Sequence, residues 1–473
     1  MPEVHEGAGR EGAVRDAVAG AIGAGHMSDG QSISEDYAHD EALTVGPVMP
    51  ALVARPGCTA EVAALVRIAD EHRVPMTARG SGTGLSGACT PTLESLVISF
   101  ERMNAILEID TENHVAVVQP GVTLAQLDEA LVPHGLGYPV YPGEYSASLG
   151  GNVATNAGGM RAVKYGVTRN QVLGIEAVLP TGEVIRTGGK FVKATAGYDL
   201  TQIVIGSEGT LALVTEATLR IYPRTPFTAT VLAPFPSLDA VTHAIPQIVA
   251  SGIGPMILEY IDMITLGAIT AHVGLDLGIP ADIRDTAPAY LVVMMEQRTD
   301  LRLEEDVALL AEQLAALGAI DVYVLPGAAA ASLIDAREKS FWVAKANHAD
   351  DIVDIVVPRA SLSEFMDLVA KIAGDSGSWI AGCGHAGDGN VHLSVFQSDP
   401  ATRERVLHEL FAAGLGLGGA ISGEHGIGRA KQAHFLALED PVKLALMHRI
   451  KTAFDPHNIL NPGVLLDGEV VPL

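Results

Sequence analysis

The sequence predicts an α+β protein of two lobes. A chain of 473 residues exceeds the size at which one hydrophobic core usually divides. Its first half sets glycine-rich loops between strand-like runs, and beyond Tyr222-Pro223-Arg224-Thr225-Pro226 strand-like runs alternate with helical windows on a core of their own. The expected division is a leader over 1–30, a first lobe over 31–225 and a second over 226–425, followed by a C-terminal segment over 426–473. No fixed-period repeat breaks this pattern.

Residues 1–30 are rich in Gly, Ala and charge and lack the apolar centre of a signal peptide, so a mobile or loosely docked leader is expected. A helix should begin with Thr59 as N-cap, present Val62, Leu65, Val66 and Ala69 on one face, and stop before Val74-Pro75. The chain then enters Arg79-Gly80-Ser81-Gly82-Thr83-Gly84-Leu85-Ser86-Gly87, where four glycines in eight residues free backbone N–H groups to approach an anion. We read this as a diphosphate cradle; a plain surface turn is the alternative.

Gly82 to Gly87 matches G-x-G-x-x-G, with Glu108 and Asp110 about twenty residues on, but a Rossmann site needs its last glycine to open a helix. Here Pro91 follows, and Leu96-Val97-Ile98-Ser99-Phe100 reads as a strand. The loop itself must supply the donors.

Thr123 and Gln126 form a capping box at the start of a short helix. A second glycine-rich stretch runs from Tyr141 to Gly159 and ends near Lys164-Tyr165-Gly166; its small residues let the backbone pack against a flat, hydrogen-bonding ligand. Val172–Leu179 and Val184–Thr187 read as a hairpin through Pro180-Thr181-Gly182. Gly206-Ser207-Glu208-Gly209-Thr210-Leu211 is a third tight turn. In the second lobe, Leu291–Met295 reads as a strand and Leu303–Leu317 as a helix.

Composition narrows the classes of function. With 48% hydrophobic and 18% charged residues the chain should fold throughout, and a net charge of -26 opposes nucleic acid and anionic membranes. Cys58, Cys89 and Cys383 are too few and scattered for a disulfide framework or a thiolate metal site. No apolar run reaches about eighteen residues. A soluble, cytoplasmic protein is expected.

Two glycine-framed motifs could carry chemistry. Gly384-His385-Ala386-Gly387-Asp388-Gly389-Asn390-Val391-His392 sets two histidines around a tight turn, and Ser422-Gly423-Glu424-His425-Gly426 adds a carboxylate and a third histidine. His385, His392 and Glu424 are candidate ligands for a divalent metal with open positions. His425, next to a ligand on an extended segment, should point elsewhere and is a candidate base. Arg337 is the preferred partner for a substrate carboxylate, its plain alternative being a solvated helix charge. Lys345 is a weaker candidate, and Trp342 reads as core or pocket wall.

Together these residues resemble the flavin-dependent 2-hydroxy acid oxidoreductases of the vanillyl-alcohol oxidase / p-cresol methylhydroxylase (PCMH) superfamily. The likeness is greatest to the group of the FAD-linked glycolate oxidase subunit, D-lactate dehydrogenase and D-2-hydroxyglutarate dehydrogenase. It runs from about residue 40 to the C-terminus and includes Leu149 to Gly159, Phe454-Asp455-Pro456 and Asn461-Pro462-Gly463. The resemblance implies a PCMH-type FAD-binding lobe, an α+β cap over the flavin, and a C-terminal segment returning to the FAD lobe.

The cofactor-binding residues it implies are Arg79, Gly80, Ser81, Gly82, Thr83, Gly84, Ser86 and Gly87 at the pyrophosphate; Pro142, Gly143, Ser148, Gly150, Gly151, Asn152, Thr155, Asn156, Gly158 and Gly159 along the flavin; and Tyr165, Gly206, Glu208, Gly209 and Asn461. It also implies His385, His392 and Glu424 on a divalent metal (Zn, Mn or Fe), His425 as base and Arg337 on the substrate carboxylate. Thr83 stands where members with covalent flavin carry a histidine, so non-covalent FAD is expected. Ile352-Val353-Asp354 replaces a lysine-bearing stretch of the hydroxyglutarate enzymes, which favours glycolate or D-lactate. Ala212 replaces a glycine.

The expected reaction is hydride transfer from C2 of a D-2-hydroxy acid to flavin N5, with the metal and His425 acting on the hydroxyl. A metal-dependent hydrolase and a non-catalytic flavin electron-transfer subunit stand as rivals. The electron acceptor stays open among oxygen, a quinone-linked subunit and an electron-transferring flavoprotein, and so does assembly as a homodimer or larger complex.

Overall fold

In the computed structural model, which describes residues 3–467, the first lobe holds two main sheets. One has the order Met27–Asp29, Leu52–Ala54, Leu96–Ser99, Met76–Arg79, antiparallel at its first pair and parallel thereafter. The other is an antiparallel sheet of five strands, Ile106–Asp110, Val115–Val118, Leu213–Arg220, Val172–Val178 and Val184–Gly188. The last two form the expected hairpin. The second lobe is built on a seven-stranded antiparallel sheet whose inner strands include Ile257–Asp262, Trp379–His385 and Asn390–Phe396. Helices such as Leu238–Ala250, Asp300–Ala316 and Leu362–Ser376 bury apolar faces in its core.

Local signals explain several elements. The helix Thr59–His72 buries Val62, Leu65, Val66 and Ala69; its N-cap is Cys58, one residue before the expected Thr59, and it ends at Arg73 in a left-handed conformation. Thr123 and Gln126 form the reciprocal capping box of Leu124–Leu131. Between Met76–Arg79 and Leu96–Ser99 no helix forms, so the glycine loop is a crossover whose N–H groups are not drawn into helical hydrogen bonds. The Rossmann pattern therefore has no structural counterpart here.

Two segments differ from expectation. Residues Glu3–Ile22 form a helix rather than a loose leader, and Val14, Val18 and Ile22 enter the first core. Spacing of four residues places these three on one stripe against the helix Thr59–His72. Leu149–Thr155 is also a short helix, capped by Ser148 and closed by Asn156 at φ 54°. Near the C-terminus, Met76 and Leu460 bridge in parallel, with Met76 N–H donating to the Ile459 carbonyl and Asn461 N–H to the Met76 carbonyl. Among the described residues no helix is long and apolar enough to cross a membrane.

Candidate functional site

Two cavities meet at a common wall that contains Leu85, Pro142, Glu424 and His425. The first lies in the first lobe. Gly80, Ser81, Gly82, Thr83, Gly84, Pro142, Ser148, Gly150, Gly151, Asn152, Thr155, Glu208 and Gly209 line it, as does Ala212. At Gly80 an added Cβ would collide with the Ser148 hydroxyl, and Gly82 adopts φ 76°, so both positions need glycine. Asn152 Nδ2 and Asp40 Oδ2 line this cavity as buried polar atoms without a partner.

The other expected cofactor residues lie beside that lining. Gly143 and Gly159 face the second cavity. Arg79 donates to the His39 carbonyl at 2.7 Å and stacks over Tyr37. Ser86 is a strut: its hydroxyl donates to the His425 and Gly426 carbonyls, both at 3.0 Å. Gly87 packs against Val45, where a side chain would clash. Asn156 accepts from Arg169 N–H across the turn near Gly206. Gly158 leaves room for Glu424, whose Oε2 would stand 2.6 Å from a Cβ there. Tyr165 donates its hydroxyl to Glu296, and Asn461 donates to the Ala88 and Glu208 carbonyls at 2.8 Å.

The two histidine motifs converge. His385 ends the strand Trp379–His385 and His392 sits on its antiparallel partner Asn390–Phe396, which brings the rings to 4.8 Å. His385 Nε2 and His392 Nε2 stand 3.1 and 3.2 Å from the same oxygen, Glu424 Oε1. Two imidazoles and a carboxylate with ligand atoms within 4.8 Å of one another suit a divalent cation. His425 does not diverge as fully as an extended segment suggests, because its ring stacks on His392 at 5.0 Å and borders both cavities.

Two buried carboxylates absent from the expected site organise it. Glu259, fully buried on Ile257–Asp262, has Oε1 2.7 Å from His385 Nδ1 and Oε2 2.6 Å from Arg337 Nη2. Asp354 Oδ2 accepts from Ser422 Oγ and from the N–H groups of Gly423, Glu424 and His425, at 2.8 to 3.0 Å. One carboxylate thus fixes the backbone that carries both Glu424 and His425. Each lies in an ordinary strand run without a glycine frame, so only burial distinguishes it.

Burial opposes the charge on these groups, and their neighbours decide the outcome. It would raise the Glu424 carboxyl, yet His385 and His392 hold it well below the usual range. It would lower the His385 imidazole, yet Glu259 and Glu424 hold it well above. For His425, burial wins: with His392 and Lys431 adding to it against Asp354 and Glu424, the imidazole falls to about 4 and is neutral near pH 7.

Arg337 is buried at 4% exposure rather than solvated, and it lines the second cavity. Its Nη1 donates to Ser340 Oγ at 3.1 Å, while Nε and Nη2 have no aligned hydrogen-bond acceptor despite the nearness of Glu259. Lys345 is instead paired with Glu41 at 2.6 Å. Trp342 is 38% exposed and outside the lining; its neighbour Phe341 is part of it.

Comparison with known proteins places this architecture. Residues 50–188 match an FAD binding domain, and residues 224–465 match the C-terminal domain of FAD linked oxidases. An uncharacterized FAD-linked oxidoreductase of Mycobacterium tuberculosis is 56% identical over 444 residues, 94% of this chain and 97% of that one. A D-lactate dehydrogenase of Anaerostipes hadrus is 35% identical over 92% of this chain and 93% of its own. The fold is that of p-cresol methylhydroxylase, with a TM-score of 0.77, 17% identity and 97% coverage of each chain. The chain belongs to the FAD-linked oxidases, in the group of the glycolate oxidase subunit, D-lactate dehydrogenase and D-2-hydroxyglutarate dehydrogenase.

Proposed function

We propose that the protein oxidises a D-2-hydroxy acid to the 2-oxo acid, using non-covalent FAD and a divalent metal. The observation that carries this reading is the placement of Glu424 and His425 at the wall between a glycine-lined cavity and a second cavity that bears His385, His392 and Arg337. FAD membership sets the hydrolase alternative aside.

The first cavity suits FAD. Backbone donors of the Gly80 to Gly84 loop would meet the charge of a diphosphate, and the free Asn152 Nδ2 would supply a donor to a polar ring edge. FAD, when bound, accepts hydride at N5. His385, His392 and Glu424 would hold the metal, whose charge lowers the pKa of a hydroxyl bound to it.

The chain's own residues do the rest. Arg337, which borders the second cavity with Glu259 2.6 Å from its Nη2, would bind the substrate carboxylate and so fix which face of C2 meets the cofactor. His425 borders both cavities and takes the hydroxyl proton as the C–H bond breaks. Retention of this pair argues against a purely electron-conducting subunit. With Ile352 in the cavity wall, a monocarboxylic acid such as D-lactate or glycolate is favoured over a dicarboxylic one.

Anaerobic addition of D-lactate, glycolate and D-2-hydroxyglutarate to the yellow protein should bleach the flavin with a monocarboxylic acid first. In His425→Ala, FAD should stay bound while reduction slows roughly a hundredfold or more. An unchanged rate would remove His425 as the base.

A further inference from the structure

The second cavity extends past the histidines and Arg337, beyond the end that the metal ligands and the flavin-facing Pro142, Gly143 and Gly159 line. Away from the histidines its wall includes the large apolar side chains Ile264, Ile269, Phe341, Ile352, Trp379 and Phe396, with Thr265, Asn347 and Ser394 as neutral polar residues among them. The Trp379 and Phe396 rings lie 4.6 Å apart.

Trp379 and Ile264 are 51% and 45% exposed, so the apolar wall reaches the surface. Large apolar side chains left to water around a concave site mark a surface that an apolar ligand covers.

Charge along the wall points the same way. Apart from the histidines, Arg337 is the only cationic residue among the described lining residues, and with Glu259 already 2.6 Å from its Nη2 it has charge for one substrate carboxylate at most. A second substrate carboxylate would find no cation and would face Glu338 and the apolar wall instead.

We propose, resting on the hydroxy acid reading above, that the substrate carries a bulky apolar group at C2, an aryl or branched alkyl chain. Glycolate and D-lactate can engage Arg337 and the histidines, but they leave the Trp379–Phe396 end filled with water. The preference then comes from displacing that water with hydrocarbon.

Two readouts on the FAD-loaded protein test this. In anaerobic reduction, D-3-phenyllactate and D-2-hydroxy-4-methylpentanoate should exceed D-lactate at least tenfold in kcat/KM, since one extra buried methylene is worth about tenfold or more. Ala268→Phe, which adds a ring to the wall, should cut the phenyllactate-to-lactate ratio about tenfold. Independently of turnover, Trp342→Phe leaves Trp379 as the sole tryptophan, and its fluorescence should report 3-phenylpropanoate binding at least tenfold more tightly than propanoate.

Reduction by D-lactate or glycolate as fast as by the larger acids would overturn the inference and leave the oxidation reading standing. If no acid reduces the flavin but 3-phenylpropanoate still binds preferentially, the oxidation reading fails and the apolar carboxylate site stands. Equal binding of the two carboxylates, with or without reduction, overturns the inference.

Discussion

Glu259 joins the two halves of the proposed chemistry through a single side chain. One oxygen orients His385, leaving Nε2 of that ring turned toward Glu424, and the other faces the substrate-side guanidinium of Arg337. A carboxylate behind a metal-bound imidazole fixes its tautomer and raises its basicity, and losing such a partner typically costs about 10- to 100-fold in metal affinity. Glu259→Gln is nearly isosteric but removes the charge. Metal affinity measured by chelator competition should fall by about that factor, with FAD content unchanged. Equal affinity in the variant would show that His385 needs no such support. The glycine-framed histidines were legible from sequence because tight turns leave a trace in composition. Glu259 was not, since Leu258-Glu259-Tyr260 carries no signal until the sheet buries it. Ser86 shows what such a loop does not announce: its hydroxyl braces the His425 and Gly426 backbone.

Elements with punctuation at both ends were readable at sequence level. The helix Thr59–His72 has an apolar face and a proline just beyond it, and Leu124–Leu131 announces itself by its capping box. The helix Glu3–Ile22 was not readable, because its glycines lower helix propensity and tertiary packing supplies what propensity lacks. Arg10 ties it down further, donating to the His72 and Arg73 carbonyls at the end of the neighbouring helix. Val14, Val18 and Ile22 are 3%, 0% and 5% exposed, and fully burying such side chains contributes about 1.5–3 kcal/mol each. A chain lacking residues 1–22 should therefore unfold at markedly lower urea concentration, with stability reduced by several kcal/mol. An unshifted midpoint would mean that the helix only rests on the first lobe. The short helix Leu149–Thr155 was hidden for a related reason: Gly150 and Gly151 disfavour a helix, but Gly150 lets it press against Pro120, where a Cβ would collide.

The whole molecule makes its site by pinning the junction of the second lobe and the C-terminal segment, residues 425–428, against the loops of the first lobe. Glu208, buried in the third glycine turn at φ 53°, accepts the Ile427 and Gly428 N–H groups at 2.8 and 2.7 Å. These contacts span 219 and 220 positions of sequence, and the Ser86 strut spans 339 and 340, so no local pattern could disclose them. Two lobes were legible, but the lock between them was not. Both oxygens of Glu208 are used as acceptors, which makes Glu208→Gln informative: the amide retains one acceptor and turns its NH₂ toward the other backbone donor. A buried donor left facing a donor costs about 1–3 kcal/mol, and here the loss falls on the contact between lobes. The native protein should unfold in one calorimetric transition that moves up when FAD is added. In Glu208→Gln, the transition should broaden or split, FAD should dissociate faster, and protease should cut more readily near Tyr222–Pro226. If the variant keeps a single transition and the native FAD off-rate, the lobes are held by packing around the shared wall, and Glu208 merely satisfies two backbone donors.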